Sequence, residues 1–259
     1  MHNMEMDQLI DRVADLIIKA KKVVVFTGAG VSTESGIPDF RSPGGIWSKY
    51  DPEDFTLQKF LRDPETRKLH WVMLTESGLM VDAKPNPAHY AIAELDKMGK
   101  LDCVITQNVD DLHQKAGVPR DKVFELHGNM KWVKCLNCGR RYSMEEVQER
   151  LRQGIELPDC LDCHGILKPE GVFFGEALPQ RELTEATQRS RNCDLFIVIG
   201  STLVVTPAAY MPSYAKDAGA KLAIINLSST PLDHEATVLI RSKAGEAMAK
   251  IVERVKSKV

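Results

Sequence analysis

Leu9, Ile10, Val13, Leu16 and Ile17 recur at the spacing of a single helical face, which predicts an amphipathic helix near the start of the chain. The pattern then changes. Val23-Val24-Val25-Phe26-Thr27 is an unbroken apolar, β-branched run that stops at Gly28-Ala29-Gly30, the signature of a buried strand entering a glycine turn. Three later runs share this form: Cys103-Val104-Ile105-Thr106, Leu195-Phe196-Ile197-Val198-Ile199 and Lys221-Leu222-Ala223-Ile224-Ile225-Asn226. Each ends in small or polar residues, namely Gln107-Asn108, Gly200-Ser201-Thr202 and Asn226-Leu227-Ser228. Continuous rather than alternating apolar strands imply burial on both faces, as in a parallel sheet covered by helices. Helical periodicity predicts those helices over 87–98, 180–190 and 208–218, with a last one carrying Ala247, Met248, Ile251, Val252 and Val255 on one stripe.

The predicted fold class is therefore α/β, an open parallel sheet with helices on both faces. Ligands of such sheets bind beyond the carboxyl ends of the strands, where each polar terminus above lies. Segments of about 46–100 and 132–168 break the alternation and read as insertions. At 259 residues the chain is long enough for one large core, or one core with a satellite. Its 43% hydrophobic and 27% charged fractions are those of a soluble globular protein. No apolar run reaches the roughly 20 residues of a membrane-spanning helix. The balance of 34 Lys+Arg against 36 Asp+Glu, a net charge of −2, argues against a broad surface for nucleic acid or anionic lipid. The opening Met1-His2-Asn3-Met4-Glu5-Met6-Asp7 lacks the basic and apolar blocks of a signal peptide, making the cytoplasm the default expectation.

Five constellations carry candidate chemistry. Gly28-Ala29-Gly30-Val31-Ser32-Thr33-Glu34-Ser35-Gly36 follows a strand, so its backbone can approach a phosphate closely; a plain tight turn is the simpler reading. The spacing is not G-x-G-x-x-G, which disfavours an ordinary dehydrogenase. Ile37-Pro38-Asp39-Phe40-Arg41 brings a carboxylate, an aromatic face and a guanidinium beside that turn, or forms a surface loop with an internal Asp–Arg pair. Thr106-Gln107-Asn108-Val109-Asp110, followed by His113 and by Glu125-Leu126-His127-Gly128, offers groups for ribose and carboxamide recognition and a histidine suited to general base work. Cys135-x2-Cys138 and Cys160-x2-Cys163 have the pairing of a closed four-thiolate zinc site with no open position, hence a structural one. Val172-Phe173-Phe174-Gly175-Glu176 and Gly200-Ser201-Thr202-Leu203-Val204-Val205-Thr206-Pro207 are two short segments that suit clamping a peptide by strand addition, although the first also reads as a buried strand. Cys103 and Cys193 stand alone and read as core thiols.

With these motifs in this order, over about 20–230, the sequence resembles the sirtuins, NAD-dependent protein lysine deacylases, in their short catalytic-core form. The resemblance implies a single catalytic domain over 1–259. Its Rossmann core would comprise about 1–45, 101–131 and 169–259, and its small domain the helical insertion 46–100 and the zinc insertion 132–168. It implies one structural zinc on Cys135, Cys138, Cys160 and Cys163, and NAD as co-substrate. Gly28, Ala29, Gly30 and Thr33 would cradle the pyrophosphate, Phe40 would cover the nicotinamide side, and Arg41 would contact the cofactor or support its loop. Gln107 and Asn108 would bind the nicotinamide ribose, and Val109 and Asp110 the carboxamide. Gly200, Ser201, Thr202, Asn226, Leu227 and Ser228 would line the phosphate and adenosine half, with Ala244, in the stretch 242–245, closing over adenine. Val172, Phe173, Phe174, Gly175, Glu176, Leu203 and Val204 would hold the acylated peptide. His127 would be the base and Asn108 its catalytic companion. In the family mechanism the acyl-lysine oxygen captures the ribose as nicotinamide leaves, and His127 then drives attack of the 2′-oxygen on the resulting imidate, yielding free lysine and acyl-ADP-ribose.

Members selective for acidic acyl groups carry a Tyr-x-x-Arg pair in the helical insertion, because a buried carboxylate needs a fixed cation. The corresponding stretch here has Arg67 with Pro64 three residues before it, then Trp71, Val72, Met73, Leu74 and Leu79, which implies a preference for neutral acyl groups. Gly171 departs from the family's usual β-branched residue and implies a looser peptide edge. The expected partners are acylated, above all acetylated, lysine-containing proteins, with no membrane or nucleic acid. The alternatives are protein ADP-ribosylation with the same cofactor and a zinc-ribbon module for nucleic acid or chromatin, the latter disfavoured by the near-neutral charge.

Overall fold

A computed structural model describes residues 2–76 and 83–258. The chain opens with α1 (His2–Lys19) and β1 (Val23–Thr27), followed later by the helices α2 (Leu57–Arg62), α3 (Pro64–Glu76) and α4 (Pro87–Lys97). Then come β2 (Leu101–Thr106), α5 (Leu112–Lys115), β3 (Val123–Glu125), β4 (Trp132–Cys135), β5 (Arg141–Ser143), α6 (Met144–Arg152) and β6 (Leu167–Pro169). The chain finishes with α7 (Gln180–Arg191), β7 (Leu195–Ile199), α8 (Met211–Asp217), β8 (Lys221–Ile225), β9 (Val238–Ile240) and α9 (Ala244–Lys258).

Six strands form one parallel sheet in the order β3-β2-β1-β7-β8-β9. Every residue of β1 and β7 is buried, as their unbroken apolar runs require. Alternate side chains feed opposite layers. Val23, Val25, Ile197 and Ile199 pack with Ile10, Val13, Ile17, Ile92, Leu95, Met248 and Ile251 of α1, α4 and α9. Val24, Phe26, Phe196 and Val198 pack with Ala186, Met211 and Ala215 of α7 and α8. Cys103 and Cys193 lie in this second layer, and burial pushes both thiols up, Cys193 to about 12.

The four predicted strands and the opening and closing helices are present. The three-residue edge strands β3 and β9 were too short to register as periodic runs. The helix expected over 208–218 is divided, beginning as a 3₁₀ turn at Ala208–Tyr210 before α8. A boundary also moves. Ala88, Ala91, Ile92 and Leu95 of α4 lie in the main core, so the helical insertion ends before α4 rather than at residue 100. The zinc insertion is a three-stranded antiparallel sheet, order β5-β4-β6, with α6 started by a reciprocal Ser143–Glu146 capping box. Trp71 and Leu74 of α3 share a small core with Val133, Tyr142, Val147 and Leu167, so the two insertions form one packed body. Leu79, one of the apolar residues named in the helical insertion, lies outside the described residues.

Strand order reverses between β1 and β7, and there the two following loops interlock through main chain. Gly28 N donates to Ile199 O at 3.1 Å and Gly30 N to Gly200 O at 2.9 Å. A Cβ on Gly28 would lie 2.7 Å from Gly200 O, and one on Gly30 2.9 Å from Gly200 Cα. Gly200 has φ +62°, and a Cβ there would lie 2.2 Å from Val31 N. The glycine turn does not open an α-helix; 3₁₀ turns at Ala29–Val31 and Thr33–Ser35 follow it, because the chain must bend sharply around Gly200. Replacing Gly200 by Ala adds both a left-handed penalty and a backbone collision, and should lower stability by at least about 2 kcal/mol. Urea unfolding should register this as a lower midpoint at constant slope; an unchanged midpoint would contradict the interlock.

Candidate active site

The carboxyl ends of β1, β2 and β7 meet at this switch point, and their loops place most of the polar residues singled out above. Gln107 joins all three: its N–H donates to Thr27 O at 3.0 Å, its Nε2 donates to Ser201 Oγ at 2.8 Å, and its carbonyl faces His127. Asn108 Nδ2 donates to Ser32 Oγ at 3.1 Å, and Ser32 Oγ donates to Asp110 Oδ2 at 2.6 Å. The other Asp110 oxygen accepts Leu112 N at 3.0 Å, so the carboxylate is held at both ends. Ser32 is 1% exposed and escaped the sequence reading, since a serine within a glycine turn has no spacing to distinguish it.

His127 Nδ1 lies 3.0 Å from Gln107 O. A carbonyl only accepts, so Nδ1 carries the hydrogen and Nε2 presents a lone pair. Burial disfavours the imidazolium and holds the His127 pKa below its ordinary value, with the Gln107 carbonyl opposing. A second buried chain lies beneath. His113 Nε2 contacts Thr27 Oγ1 at 2.9 Å, Thr27 Oγ1 donates to Thr106 Oγ1 at 2.8 Å, and Thr106 Oγ1 accepts Asn108 N at 3.0 Å. His89 packs against His113 with ring centroids 5.0 Å apart. Desolvation pushes His113 well below the ordinary range and His89 to about 4, with Asp110 opposing the latter.

An aromatic wall stands opposite. Phe40, 37% exposed, lies 5.1 Å from Trp47, which in turn meets Phe55 at 5.0 Å and Phe174 at 6.2 Å. Asp39 does not pair with the Arg41 guanidinium. Its carboxylate accepts the main-chain N–H groups of Arg41 and Ser42 at 3.0 and 2.7 Å, which shapes the loop and leaves Arg41 exposed. Arg67 is engaged elsewhere, with Nη1 donating to Phe60 O at 3.0 Å and Leu61 O at 3.1 Å.

The segment 172–176 is pinned rather than loose. Val172 N donates to His127 O at 2.8 Å, Phe174 N to Phe55 O at 2.9 Å, and Leu57 N to Phe174 O at 2.9 Å. It makes a single bridge to Thr56 and no regular strand. The Phe173 side chain is buried against His70 and Phe60 and its carbonyl accepts Glu176 N at 3.0 Å, while Phe174 is 43% exposed. Glu176 turns inward, accepting Phe173 N at 3.0 Å and pairing with the buried Lys168 at 2.8 Å. Across the cleft, Leu203 is buried with φ +55°, and Val204 is 52% exposed.

On the far side, Thr33 Oγ1 donates to Gly30 O at 3.1 Å, and Asn226 Nδ2 donates to Ser228 O at 2.9 Å. Arg241, unrecognised in the sequence, donates to Ser228 O at 2.6 Å and so orders that loop. Thr202 lies in the interlocked loop, and Leu227 is 66% exposed. Ala244 is buried at the start of α9, where Gly245 N donates to Glu34 Oε2 at 2.6 Å. The convergent glycines let the two strand-end loops pack main chain against main chain, an arrangement that fits close approach of a dinucleotide phosphate to the backbone.

Within the small body, the four Sγ atoms of Cys135, Cys138, Cys160 and Cys163 lie within 4.8 Å of one another. Tyr142 Oη lies 3.2 Å from Cys160 Sγ and accepts Leu161 N at 2.9 Å, which places its hydroxyl to donate to a thiolate there. A Cβ on Gly165 would lie 2.9 Å from Cys135 Sγ, so only glycine admits this approach. Four thiolates at this separation fit a tetrahedral, structural zinc.

Residues 28–207 match the model of the Sir2 family. An NAD-dependent protein deacylase of Archaeoglobus fulgidus is 49% identical over 253 residues, 97% of this chain and 98% of its own. An NAD-dependent protein deacetylase of Pyrobaculum aerophilum is 45% identical over 95% of each chain. A solved Sir2 complex with a p53 peptide and NAD⁺ is 40% identical, with a TM-score of 0.87 over 95% of this chain and 98% of that one.

Metal analysis should find one zinc per chain, and chelation should unfold the small body, read as loss of the near-ultraviolet signal of Trp71 and Tyr142. An unchanged signal in metal-free protein would contradict a structural role. Between pH 6.5 and about 4 the folded chain binds fewer protons than the unfolded chain, because His89 and His113 stay neutral. Stability should therefore fall as pH falls, by roughly 2 kcal/mol per fully suppressed histidine between pH 7 and 5. Urea titrations at both pH values check this, and an equally steep loss in His89→Gln/His113→Gln would overturn it.

Proposed function

Because the chain belongs to the Sir2 family, we propose that its strand-end site removes acyl groups from protein lysines in an NAD-dependent reaction, passing the acyl group to ADP-ribose and releasing nicotinamide. The observation that carries this reading is His127, whose Nδ1–H is fixed by Gln107 and whose Nε2 is left free. It stands beside the Asn108–Ser32–Asp110 network and the interlocked glycine turns. NAD, when bound, supplies an electrophilic ribose carbon and nicotinamide as its leaving group.

The chain's own residues do the rest. Gly28, Ala29, Gly30 and Thr33 receive the pyrophosphate, and Gly200, Ser201, Thr202, Asn226, Leu227 and Ser228 line the adenosine half. Asp110 and Val109 hold the carboxamide; Ser32 fixes Asp110 for that task. Gln107 and Asn108 bind the adjoining ribose hydroxyls, from which His127 Nε2 takes a proton. Phe40, backed by Trp47, keeps water from the reacting carbon. The acylated peptide lies between the main chain of 172–176 and that of Leu203 and Val204, with Phe174 and Val204 lining its path. This main-chain mode supports acylated lysine proteins as the substrate class. Arg67 is committed to the carbonyls of Phe60 and Leu61 in α2 and so is not offered to an acidic acyl group, which supports preference for neutral acyl chains.

Incubation with NAD and an acetyl-lysine peptide should release nicotinamide, and His127→Ala, which blocks the step after nicotinamide leaves, should slow steady-state formation of the free-lysine peptide by about 10²–10⁴-fold. The rate should hold to a lower pH than an ordinary histidine allows, since burial keeps His127 neutral and basic, and fall only below that. Label from NAD appearing on protein in the absence of acyl peptide, with turnover indifferent to His127, would favour ADP-ribosylation instead.

A further inference from the structure

Lys168, the middle residue of β6, is 3% exposed although its side chain ends in an ammonium. An ammonium has three hydrogens to donate, so its burial is tolerated where three acceptors meet it. Nζ donates to Pro169 O at 2.9 Å and to Gly171 O at 2.7 Å, and lies 2.8 Å from Glu176 Oε2. The same Glu176 oxygen accepts Phe173 N at 3.0 Å. The ammonium also sits over the Phe173 ring, 4.3 Å from its centroid. Each of these partners belongs to the stretch 169–176. Burial pulls the Lys168 pKa below its ordinary value, and the Glu176 carboxylate opposes that pull.

The stretch needs such a centre because no regular strand carries it. After Glu170 N donates to Trp132 O at 2.8 Å, the chain leaves the small sheet and makes a single bridge, to Thr56. Its other main-chain bonds run to separate elements, from Val172 N to His127 O and between Phe174 and both Phe55 and Leu57. Two inward carbonyls and a carboxylate are gathered by one group that donates three times from a single point. An apolar side chain would fill the same space and leave all three acceptors unpaired. We infer that Lys168 is a positioning residue for peptide binding: its buried ammonium folds 169–176 into the edge that receives the acylated peptide and, through Val172, steadies the main chain of His127. This inference rests on the deacylase reading above. Lys168 acts through main-chain groups and through Glu176, and moves no proton in the reaction.

The test uses the open cavity of about 460 Å³ between β3 and the small sheet, which Lys168 lines together with Glu170 and Glu176 and through which a small amine can enter. Lys168→Ala removes the atoms of propylammonium. In this variant KM for an acetyl-lysine peptide should rise at least about tenfold, the loss of a buried charged hydrogen-bond donor. Affinity for ADP-ribose, measured by calorimetry, should stay unchanged. Propylammonium added to the assay should lower the peptide KM again, and propanol, of similar size without the charge, should not. Lys168→Met, which refills the space with an apolar chain, should show the same split between peptide and ADP-ribose, with no recovery in propylammonium; it stands in if Lys168→Ala does not fold. A peptide KM unmoved in the variants, an equal loss of ADP-ribose affinity, or a recovery that propylammonium gives no better than propanol would overturn the positioning role while leaving deacylation intact. Failure of the parent chain on the acetyl peptide would overturn the deacylase reading itself.

Discussion

The site depends on two loops meeting backbone to backbone. Gly28 and Gly30 after β1 and Gly200 after β7 approach so closely that each added methyl group would fall on main-chain atoms. Strand order reverses at that point, which opens a crevice beyond the sheet, and the missing side chains let the two loops close on each other. The same contact presents Ser201, whose hydroxyl accepts Gln107 Nε2 and Leu203 N, so the β7 loop is oriented by a residue from β2. A rigid cradle follows from hydrogen bonds that a flexible turn could not hold.

Within this frame, burial sets the protonation states on which the chemistry relies. Desolvation favours the neutral form of His127, and its tautomer is fixed because Nδ1 faces the Gln107 carbonyl. His89 and His113 are likewise neutral, and they pack beneath Asp110 without delivering a cation to it. The Asp110 side chain is in turn held in place by Ser32 Oγ and Leu112 N. A basic histidine and an oriented carboxylate therefore coexist in one crevice without pairing with each other.

Most of the large sheet was legible in the sequence, because strands buried on both faces leave unbroken apolar runs. The polar ends of those runs also marked Gln107, Asn108, Ser201 and Asn226. What escaped was set by tertiary contact. The edge strands β3 and β9 are three residues long and carry no periodicity, and α4 joins the main layer by packing that its sequence shares with any amphipathic helix. Ser32, Arg241 and Lys168 act through partners distant in the chain or through local carbonyls, so their residue types alone said nothing. Gly171, read as a source of looseness, instead lies in a segment pinned by His127, Phe55 and Leu57. The four cysteines were plain from spacing, yet the shared core of α3 with the zinc-binding sheet, through Trp71, was not.

Acyl transfer at this crevice leaves a chemical record that neither hydride transfer nor ADP-ribosylation of protein can imitate. The most direct measurement is mass spectrometry of all products from NAD and an acetyl-lysine peptide. Each NAD consumed should give one nicotinamide, one free-lysine peptide and one acetyl-ADP-ribose. Free acetate without acetyl-ADP-ribose at the earliest times, ADP-ribose attached to protein, or reduced nicotinamide would contradict it.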